Sequence, residues 1–213
     1  MNFNDKQKSI ICIVRHAETD WNAQGRIQGR EEISLNENGI KQALSCAEEI
    51  FYATEKFNIK WDKIISSPLG RAKTTAKIIA DKIGLPVTSD ERIVERDFGT
   101  ISGYTFKEYE KAIYSDATYI EGIESVENII SRIDDFIKNS TMGGEKIIAV
   151  SHGGISRVYA KTTKRCDALK EDDIVRILNC HICVYTYDGE NVVLEGYNIA
   201  PSDFYKFIGE NIE

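Results

Sequence analysis

The chain has 213 residues, of which 42% are hydrophobic and 29% charged, and its formal net charge is -7. This composition predicts one globular domain over residues 1–213, with a core that needs no disulfide bonds. The acidic balance argues against nucleic acid and anionic membranes as partners, because both require an extended basic face. A polar start, no long apolar run and five scattered cysteines lead us to expect a cytoplasmic protein without a membrane span.

An unbroken apolar run at residues 10–14 ends abruptly in Arg15 and His16. Such a β-branched run predicts a strand buried on both faces of a sheet. A second run, at residues 146–150, leads in the same way towards His152. Ligands bind at the carboxyl ends of strands in open α/β sheets, so both polar ends are expected in a binding crevice. A single histidine of this kind would more often be a core residue with its hydrogen bonds satisfied. Two histidines at matching strand ends indicate a catalytic or binding role instead.

Strands alternate with helices along most of the chain. Asn36 is placed to cap one helix, Ser67 with Pro68 is typical of the start of another, and Thr105 to Glu108 forms a capping box. In chain order the predicted elements are strand 10–14, loop 17–34, helix 36–51, strand 61–66, helix 67–83, loop 85–103, helix 106–114, helix 126–137, strand 146–150, a helix after Gly154, hairpin strands 183–187 and 191–197, and a closing helix from Ser202. The order predicts an α/β fold, a three-layer α/β/α sandwich whose mostly parallel sheet has an antiparallel edge.

Two patterns raise the possibility of a metal site. Cys180 and Cys183 form a single C-x-x-C pair, and in an alternating strand their side chains would face opposite sides of the sheet. His16, Glu18 and Asp20 offer three potential ligands, but an arginine directly beside a metal ligand is electrostatically unfavourable. We therefore expect no metal, and the role of the two cysteines stays open.

Arg15 beside His16, together with Arg71 in the first turn of a helix, indicates an anion site. Free N–H groups at a helix amino terminus favour an anion, and the planar arginine fork can hold two phosphoryl oxygens at once. Each arginine taken singly would more often be a solvated surface residue. Their coincidence with two strand-end histidines predicts a phosphate pocket.

Four short blocks follow one another in a recognisable order. They are Arg15-His16-Ala17-Glu18-Thr19 with Trp21-Asn22, Gly25-Arg26, Gln28-Gly29, Leu35 and Gly39; Ser66-Ser67-Pro68-Leu69-Gly70-Arg71-Ala72 with Thr75-Ala76; Glu95-Arg96-Asp97-Phe98-Gly99 with Gly103; and Val150-Ser151-His152-Gly153-Gly154. Together they closely resemble the phosphoglycerate-mutase-like branch of the histidine phosphatase superfamily, and in particular its broad-specificity phosphatases. The resemblance extends from residue 10 to about residue 157.

The resemblance implies a role for each matching residue. His16 would be the nucleophile that forms a phosphohistidine, while Arg15, Arg71 and His152 would bind the phosphoryl group and stabilise its charge. The same likeness places Asn22, Gln28 and Gly29 in the substrate-binding and phosphate-binding set. Positioning and electrostatic stabilisation of this kind do most of the work in phosphoryl transfer.

Glu95 is implied to donate a proton to the leaving oxygen and then to take one from the attacking water. That role requires partial protonation near neutral pH, which burial beside the departing phosphate could produce. The alternative for Glu95 is an ion pair with Arg96 or another surface base. Covalent catalysis splits one displacement into two, and no cofactor is then required.

The segment between Gly103 and Val126 decides the expected reaction. Mutases of the family carry a longer, proline-rich insertion there, whereas this chain has no proline between Pro86 and Pro201. A pocket open to water favours hydrolysis of small phosphorylated metabolites. The alternatives are a phosphoglycerate mutase primed by 2,3-bisphosphoglycerate and a non-catalytic phosphate-ligand sensor. We expect a lid over about residues 100–122, bearing Tyr104, Lys107, Tyr109, Tyr114 and Tyr119, and the alternative for its aromatic residues is ordinary packing on the sheet. The expected assembly is a monomer or a homodimer.

Overall fold

A computed structural model describes residues 8–109 and 121–211. Within them, seven strands form one sheet: β1 (Ser9–Arg15), β2 (Lys63–Ser66), β3 (Val87–Ser89), β4 (Lys146–Ser151), β5 (Lys164–Arg165), β6 (Ile182–Tyr187) and β7 (Val192–Ile199). They lie side by side in the order β3-β2-β4-β1-β6-β7-β5. Strand β6 runs antiparallel to its neighbours β1 and β7, and the other neighbouring pairs are parallel. The mostly parallel sheet with an antiparallel hairpin is confirmed, and the reversed strand lies inside the sheet.

Helices cover both faces of this sheet. They are α1 (Asp20–Ala23), α2 (Glu37–Lys56), α3 (Gly70–Ile83), α4 (Val126–Ser140), α5 (Gly153–Thr162) and α6 (Pro201–Asn211). Alternate residues of β1 enter opposite cores: Cys12 packs with α2, α3 and α6, whereas Ile13 packs with α4 and α5. All seven residues of β1 are buried, which is why its sequence is a continuous apolar run. The predicted α/β/α sandwich is confirmed.

Strand register brings the two histidines together. Arg15 of β1 lies opposite Ser151 of β4, so that His16 and His152 follow at the same level. Strand β2 pairs with the other edge of β4, and Ser66 lies opposite Val150. The carboxyl ends of three neighbouring parallel strands therefore finish together, as the two matching sequence runs predicted.

The predicted start of α3 is wrong. The helix begins at Gly70, and its cap residue Leu69 makes no side-chain capping hydrogen bond. Ser67 lies two residues before this cap. Its hydroxyl accepts a long hydrogen bond of 3.4 Å from the Leu69 N–H and makes a shorter contact of 2.7 Å with His152 Nε2. Instead, the Gly70 N–H donates to the carboxylate of Glu32 at 3.0 Å. A distant side chain thus caps this helix.

The segment predicted as a loop over residues 85–103 contains more structure than expected. It holds β3 and two 3-10 turns, Glu91–Ile93 and Gly99–Ile101. The two-residue strand β5 was also not predicted. Strands β3 and β5 each pair with a single neighbour, and they are too short to carry an alternating pattern.

Several local predictions are confirmed. The Gly39 N–H donates to Asn36 Oδ1 at 2.8 Å, and the Thr105 N–H donates to Glu108 Oε2 at 2.7 Å. The helix that begins after Thr105 is described as far as Tyr109. The rest of the predicted helix and part of the predicted lid, with Tyr114 and Tyr119, lie outside the described residues. None of the helices described here has the length and apolar character needed to cross a membrane.

Candidate active site

The two strand-end histidines lie in ring contact. Their ring centroids are 5.1 Å apart and the rings are tilted by 59°. His16 is 2% exposed and His152 0%, so both are removed from bulk water. Between them, β1 and β4 fix the histidine backbones, and the remaining site residues are arranged around this pair.

The protonation of His16 follows from its hydrogen bond. Its Nδ1 lies 2.7 Å from the Ala17 carbonyl oxygen, which can only accept, so Nδ1 carries a proton. Burial, reinforced by the charges of Arg15 and Arg71, holds the pKa of His16 well below its ordinary value of 6.5. The ring is therefore neutral near pH 7, with a free lone pair on Nε2. A neutral imidazole nitrogen of this kind is a competent nucleophile.

His152 leaves one ring nitrogen without a partner. Its Nε2 lies 2.7 Å from Ser67 Oγ, while Nδ1 is buried and has no hydrogen-bond partner within the described residues. Burial, followed by the charges of Arg71, His16 and Arg15, holds its pKa well below 6.5. An anion that binds beside this ring would favour its protonated form.

Arg15 and Arg71 are buried and only partly paired. Arg15 Nη1 donates to the Ile177 carbonyl at 2.6 Å, and Arg71 donates to the carbonyls of Glu31 at 2.6 Å and Gly29 at 2.7 Å. The Nε atoms of both arginines are buried and unpaired within residues 8–109 and 121–211. Burial lowers the pKa of Arg15 to about 10 and that of Arg71 in the same direction. Buried unpaired donors are rare because they are costly, and a bound oxyanion would pair them.

The carboxylate of Glu95 sits at the amino terminus of α5. Oε1 accepts from the N–H groups of Arg96 at 2.8 Å and Ile155 at 3.1 Å, while Oε2 accepts from Gly154 at 3.1 Å. A Cβ at Gly154 would lie 2.6 Å from Glu95 Oε1, and one at Gly153 would lie 3.0 Å from Arg15 Nε. The two glycines therefore allow both side chains to approach the helix.

Acidic side chains occupy part of both helix termini near the site. The Gly70 N–H of α3 donates to Glu32, and the Gly154 and Ile155 N–H groups of α5 donate to Glu95. The buried nitrogens without a partner in the described residues are side-chain atoms of Arg15, Arg71 and His152. Among the described residues Glu95 forms no ion pair with Arg96 or another base, which was the alternative for this residue, and the Arg96 Nε–H donates to the Glu124 carbonyl at 2.9 Å.

A network that sequence reasoning missed holds the Glu95 loop. Ser151 Oγ donates to the Ile93 carbonyl at 2.8 Å, which ties the loop to β4. Behind it, Arg132 and Glu124 form a largely buried ion pair at 2.8 Å. Ser151 reaches Ile93 across 58 positions, and neither Arg132 nor Glu124 belongs to a recognised block, so no local pattern indicated these contacts.

The site opens into a cavity of about 450 Å³. Its walls include the predicted residues Arg15, His16, Asn22, Gln28, Gly29, Arg71 and Glu95, while His152 lies behind them, in contact with His16. Four further arginines line the mouth: Arg26, Arg96, Arg157 and Arg176. The Arg176 guanidinium lies over the Phe106 ring, 4.7 Å from its centroid. Among the described residues, six arginines and one carboxylate line this cavity, so that its lining is cationic although the chain is acidic.

The potential metal ligands do not converge. Glu18 accepts from Asn36 at 3.0 Å and Asn38 at 3.1 Å, at the start of α2. Cys180 and Cys183 are buried in the two opposite cores, as the alternation argument predicted. Within the described part of the chain, no three histidine, cysteine or acidic side chains form a cluster that could hold a metal ion.

Fold and site together define a phosphoryl-transfer enzyme with a histidine at its centre. Residues 11–200 match the histidine phosphatase superfamily (branch 1), and the chain belongs to that family. It is 32% identical to the uncharacterized phosphatase PhoE of Bacillus subtilis, over 90% of this chain and 95% of PhoE. It is 37% identical to a metal-independent phosphoserine phosphatase of Arabidopsis thaliana, over 78% and 74% of the two chains. A phosphoglycerate mutase from Bacillus anthracis has the same fold, with a TM-score of 0.78 at 17% identity over 98% and 99% of the chains.

We expect the free energy of unfolding to fall as the pH is lowered from about 6.5 to 5. The pKa values of His16 and His152 are lowered in the folded state, so the unfolded chain takes up protons first. Each histidine contributes a slope of up to about 1.4 kcal/mol per pH unit, and stability is lost towards acid. Carboxylates with a lowered pKa, such as Asp90, add to this loss mainly below about pH 5.

Urea unfolding at several pH values between about 6.5 and 5 measures how the free energy of unfolding changes with pH. In the His152→Asn variant one of the two buried bases is absent, and the slope should be about half that of the wild type. A slope that stays the same in this variant would show that His152 is not held neutral in the folded protein.

Proposed function

We propose that the protein is a metal-independent phosphomonoesterase that acts on small phosphorylated metabolites through a phosphohistidine at His16. One observation carries this proposal: a buried, neutral His16 with a free Nε2 lies next to three buried side-chain nitrogens that lack partners in the described residues. These nitrogens belong to Arg15, Arg71 and His152. This arrangement matches a nucleophile with the positive charge that a phosphoryl group requires.

In the first step, His16 Nε2 attacks phosphorus as the bond to the ester oxygen breaks. Arg15, Arg71 and His152 donate to the phosphoryl oxygens, and Asn22 adds a further donor from the cavity wall. Glu95 acts as the general acid and gives a proton to the leaving oxygen. The Ala17 carbonyl accepts from Nδ1 at 2.7 Å and stabilises the positive charge that forms on the phosphorylated ring.

In the second step, water attacks the phosphohistidine. Glu95, now a carboxylate, takes a proton from the water as the oxygen–phosphorus bond forms. The nitrogen–phosphorus bond breaks, inorganic phosphate leaves, and His16 returns to its neutral state. Arginine side chains supply the positive charge throughout, so neither step calls for a metal or another cofactor.

Hydrolysis and mutase activity differ in what happens to the phosphohistidine. The short, proline-free segment after Gly103 favours access of water, and two relatives are described as phosphatases. A phosphoglycerate mutase of this family would instead need priming by 2,3-bisphosphoglycerate. The shared fold of the mutase from Bacillus anthracis does not separate the two reactions.

A substrate panel in EDTA, with and without 2,3-bisphosphoglycerate, tests the proposal. We expect phosphate release from p-nitrophenyl phosphate and from small phosphorylated metabolites, without any requirement for the bisphosphate. Interconversion of the two phosphoglycerates faster than phosphate release would establish the mutase instead. No turnover of any phosphomonoester would leave a binding protein and reject both enzymatic functions.

We propose further that the substrates are phosphomonoesters that carry a second acidic group, and the arginines at the cavity mouth support this. Arg157 and Arg176 line the cavity, are exposed, and form no ion pair with the described residues. The charge of Arg176 also contributes to the lowered pKa of Arg15, after burial. A carboxylate on the substrate would offset the repulsion between Arg176 and Arg15. Phosphoserine, which appears in the name of the Arabidopsis relative, carries such a carboxylate.

We expect Arg157→Gln and Arg176→Gln each to lower kcat/KM for 3-phosphoglycerate by about tenfold, the value of one charge-assisted hydrogen bond. Glycerol phosphate, which lacks the carboxylate, should be affected by less than about twofold. Lys161→Gln is the matched control, because Lys161 lies one turn beyond Arg157 on α5 and does not line the cavity. Equal losses on both substrates would reject a carboxylate subsite.

A further inference from the structure

Residues 176–181 lie beyond the four sequence blocks and run alongside the end of β1. The Cys180 N–H donates to the Arg15 carbonyl at 2.9 Å, and the Arg15 N–H donates to the His181 carbonyl at 3.0 Å. The Ile177 carbonyl accepts from the Arg15 side chain at 2.6 Å. This segment therefore holds both the main chain and the side chain of the residue that precedes the nucleophile.

The Asn179 side chain points from this segment into the site. Its Nδ2 donates to the His16 carbonyl at 2.9 Å and to Asn22 Oδ1 at 3.1 Å. Asn179 does not line the cavity, whereas Asn22 does. Asn179 therefore contacts the cavity-lining residue Asn22 from the side that faces away from the cavity.

The hydrogen bonds to Asn22 fix which way its amide points. Asn22 Oδ1 accepts from Asn179 Nδ2 and from the Thr19 N–H at 3.3 Å. Turning the amide over would place its NH2 group against both of these donors. The capping of α1 uses Asn22 Oδ1 and the Asn22 backbone N–H, so that Asn22 Nδ2 makes no hydrogen bond to the described residues and can donate into the cavity.

We propose that Asn179 is a positioning residue for phosphoryl transfer, which holds Asn22 Oδ1 so that Asn22 Nδ2 faces the phosphoryl group. The inference rests on the proposed function, since it assigns the phosphoryl group as the partner of Asn22. A turned amide would present a carbonyl oxygen to a phosphoryl oxygen, and the two would repel each other. The effect of Asn179 therefore passes through Asn22.

A double-mutant cycle tests this path. Asn179→Leu removes the donor, and we expect it to lower kcat/KM for p-nitrophenyl phosphate by about tenfold and to weaken vanadate inhibition by a similar factor. Asn22→Ala should cost about as much or more, because it removes the contact itself. In the Asn22→Ala background, Asn179→Leu should add less than about twofold. A full additional loss in that background would overturn the proposal, because Asn179 would then act through the His16 backbone or the fold.

Asn179→Asp gives a second, nearly isosteric variant. Its carboxylate would accept from the Asn22 amide and turn the Asn22 carbonyl towards the phosphoryl group, so that we expect a larger loss than for Asn179→Leu. Retention of wild-type vanadate inhibition in Asn179→Asp would likewise overturn the proposal. Thermal unfolding of each variant separates these losses from instability.

Asn198→Gly is the matched control for loosening of the same segment. Asn198 Oδ1 accepts from the Leu178 N–H at 2.9 Å, and its φ of 55° suits glycine. We expect its kcat/KM to stay within about twofold of the wild type. If the wild-type protein releases phosphate but the cycle shows no coupling, only the role of Asn179 is rejected. If the wild type releases none, the proposed function itself fails.

Discussion

Replacing His16 with alanine should lower phosphate release by at least about 10⁴-fold, because it removes the nucleophile of a covalent mechanism. Loss of one hydrogen-bond donor, such as Asn22, leaves the covalent route available, whereas loss of His16 closes it. Initial rates with p-nitrophenyl phosphate in EDTA measure the effect. Urea unfolding confirms that the variant remains folded.

Rapid quenching with a radiolabelled phosphomonoester tests the intermediate directly. Phosphohistidine is labile in acid and stable in alkali, so the label should survive only an alkaline quench and should map to His16. His181 serves as the control histidine: its Nδ1 lies 2.8 Å from the Asn198 carbonyl, and it does not line the cavity. His181→Gln should retain the label. A label on His181, or full turnover by His16→Ala, would contradict the mechanism.

Glu95→Gln should lower the hydrolysis of alkyl phosphates by about 10² to 10⁴-fold, the usual contribution of a general acid. An alkoxide leaving group needs a proton from Glu95, whereas a nitrophenolate leaves without one. The loss with p-nitrophenyl phosphate should therefore be smaller at the first step. Comparing single-turnover rates for phosphoserine and p-nitrophenyl phosphate measures this difference.

The variant is not neutral for stability. A glutamine amide would place one NH2 group against the N–H donors of Gly154 or Ile155, at a cost of about 1–3 kcal/mol. Glu91→Gln is the control, since Glu91 lies in the same loop, is exposed and does not line the cavity. If Glu95→Gln slowed both substrates equally, Glu95 would orient the site rather than donate a proton.

The layers of the fold were predictable because they follow from local patterns. The continuous apolar run of β1 reflects burial on both faces, and the helical spacing of α2 and α4 reflects one apolar side packed on the sheet. Asn36 and Thr105 were recognisable as caps because a cap joins residues three positions apart. By contrast, β3 and β5 are held only by pairing with a distant neighbour, which no local pattern records.

The sequence by itself determined the site residues that come in short blocks, because residues at the ends of neighbouring parallel strands must meet. The tertiary structure alone decided how these residues are held and charged. Asn179 reaches His16 and Asn22 across more than 150 positions, Glu32 takes the helix terminus expected for phosphate, and Arg176 joins the cavity from outside the four blocks. Orientation, burial and protonation depend on such long-range contacts. The short apolar run that ends in Arg15 and His16 therefore located the candidate site, and the packing around it holds a neutral histidine beside buried side-chain nitrogens without partners in the described residues.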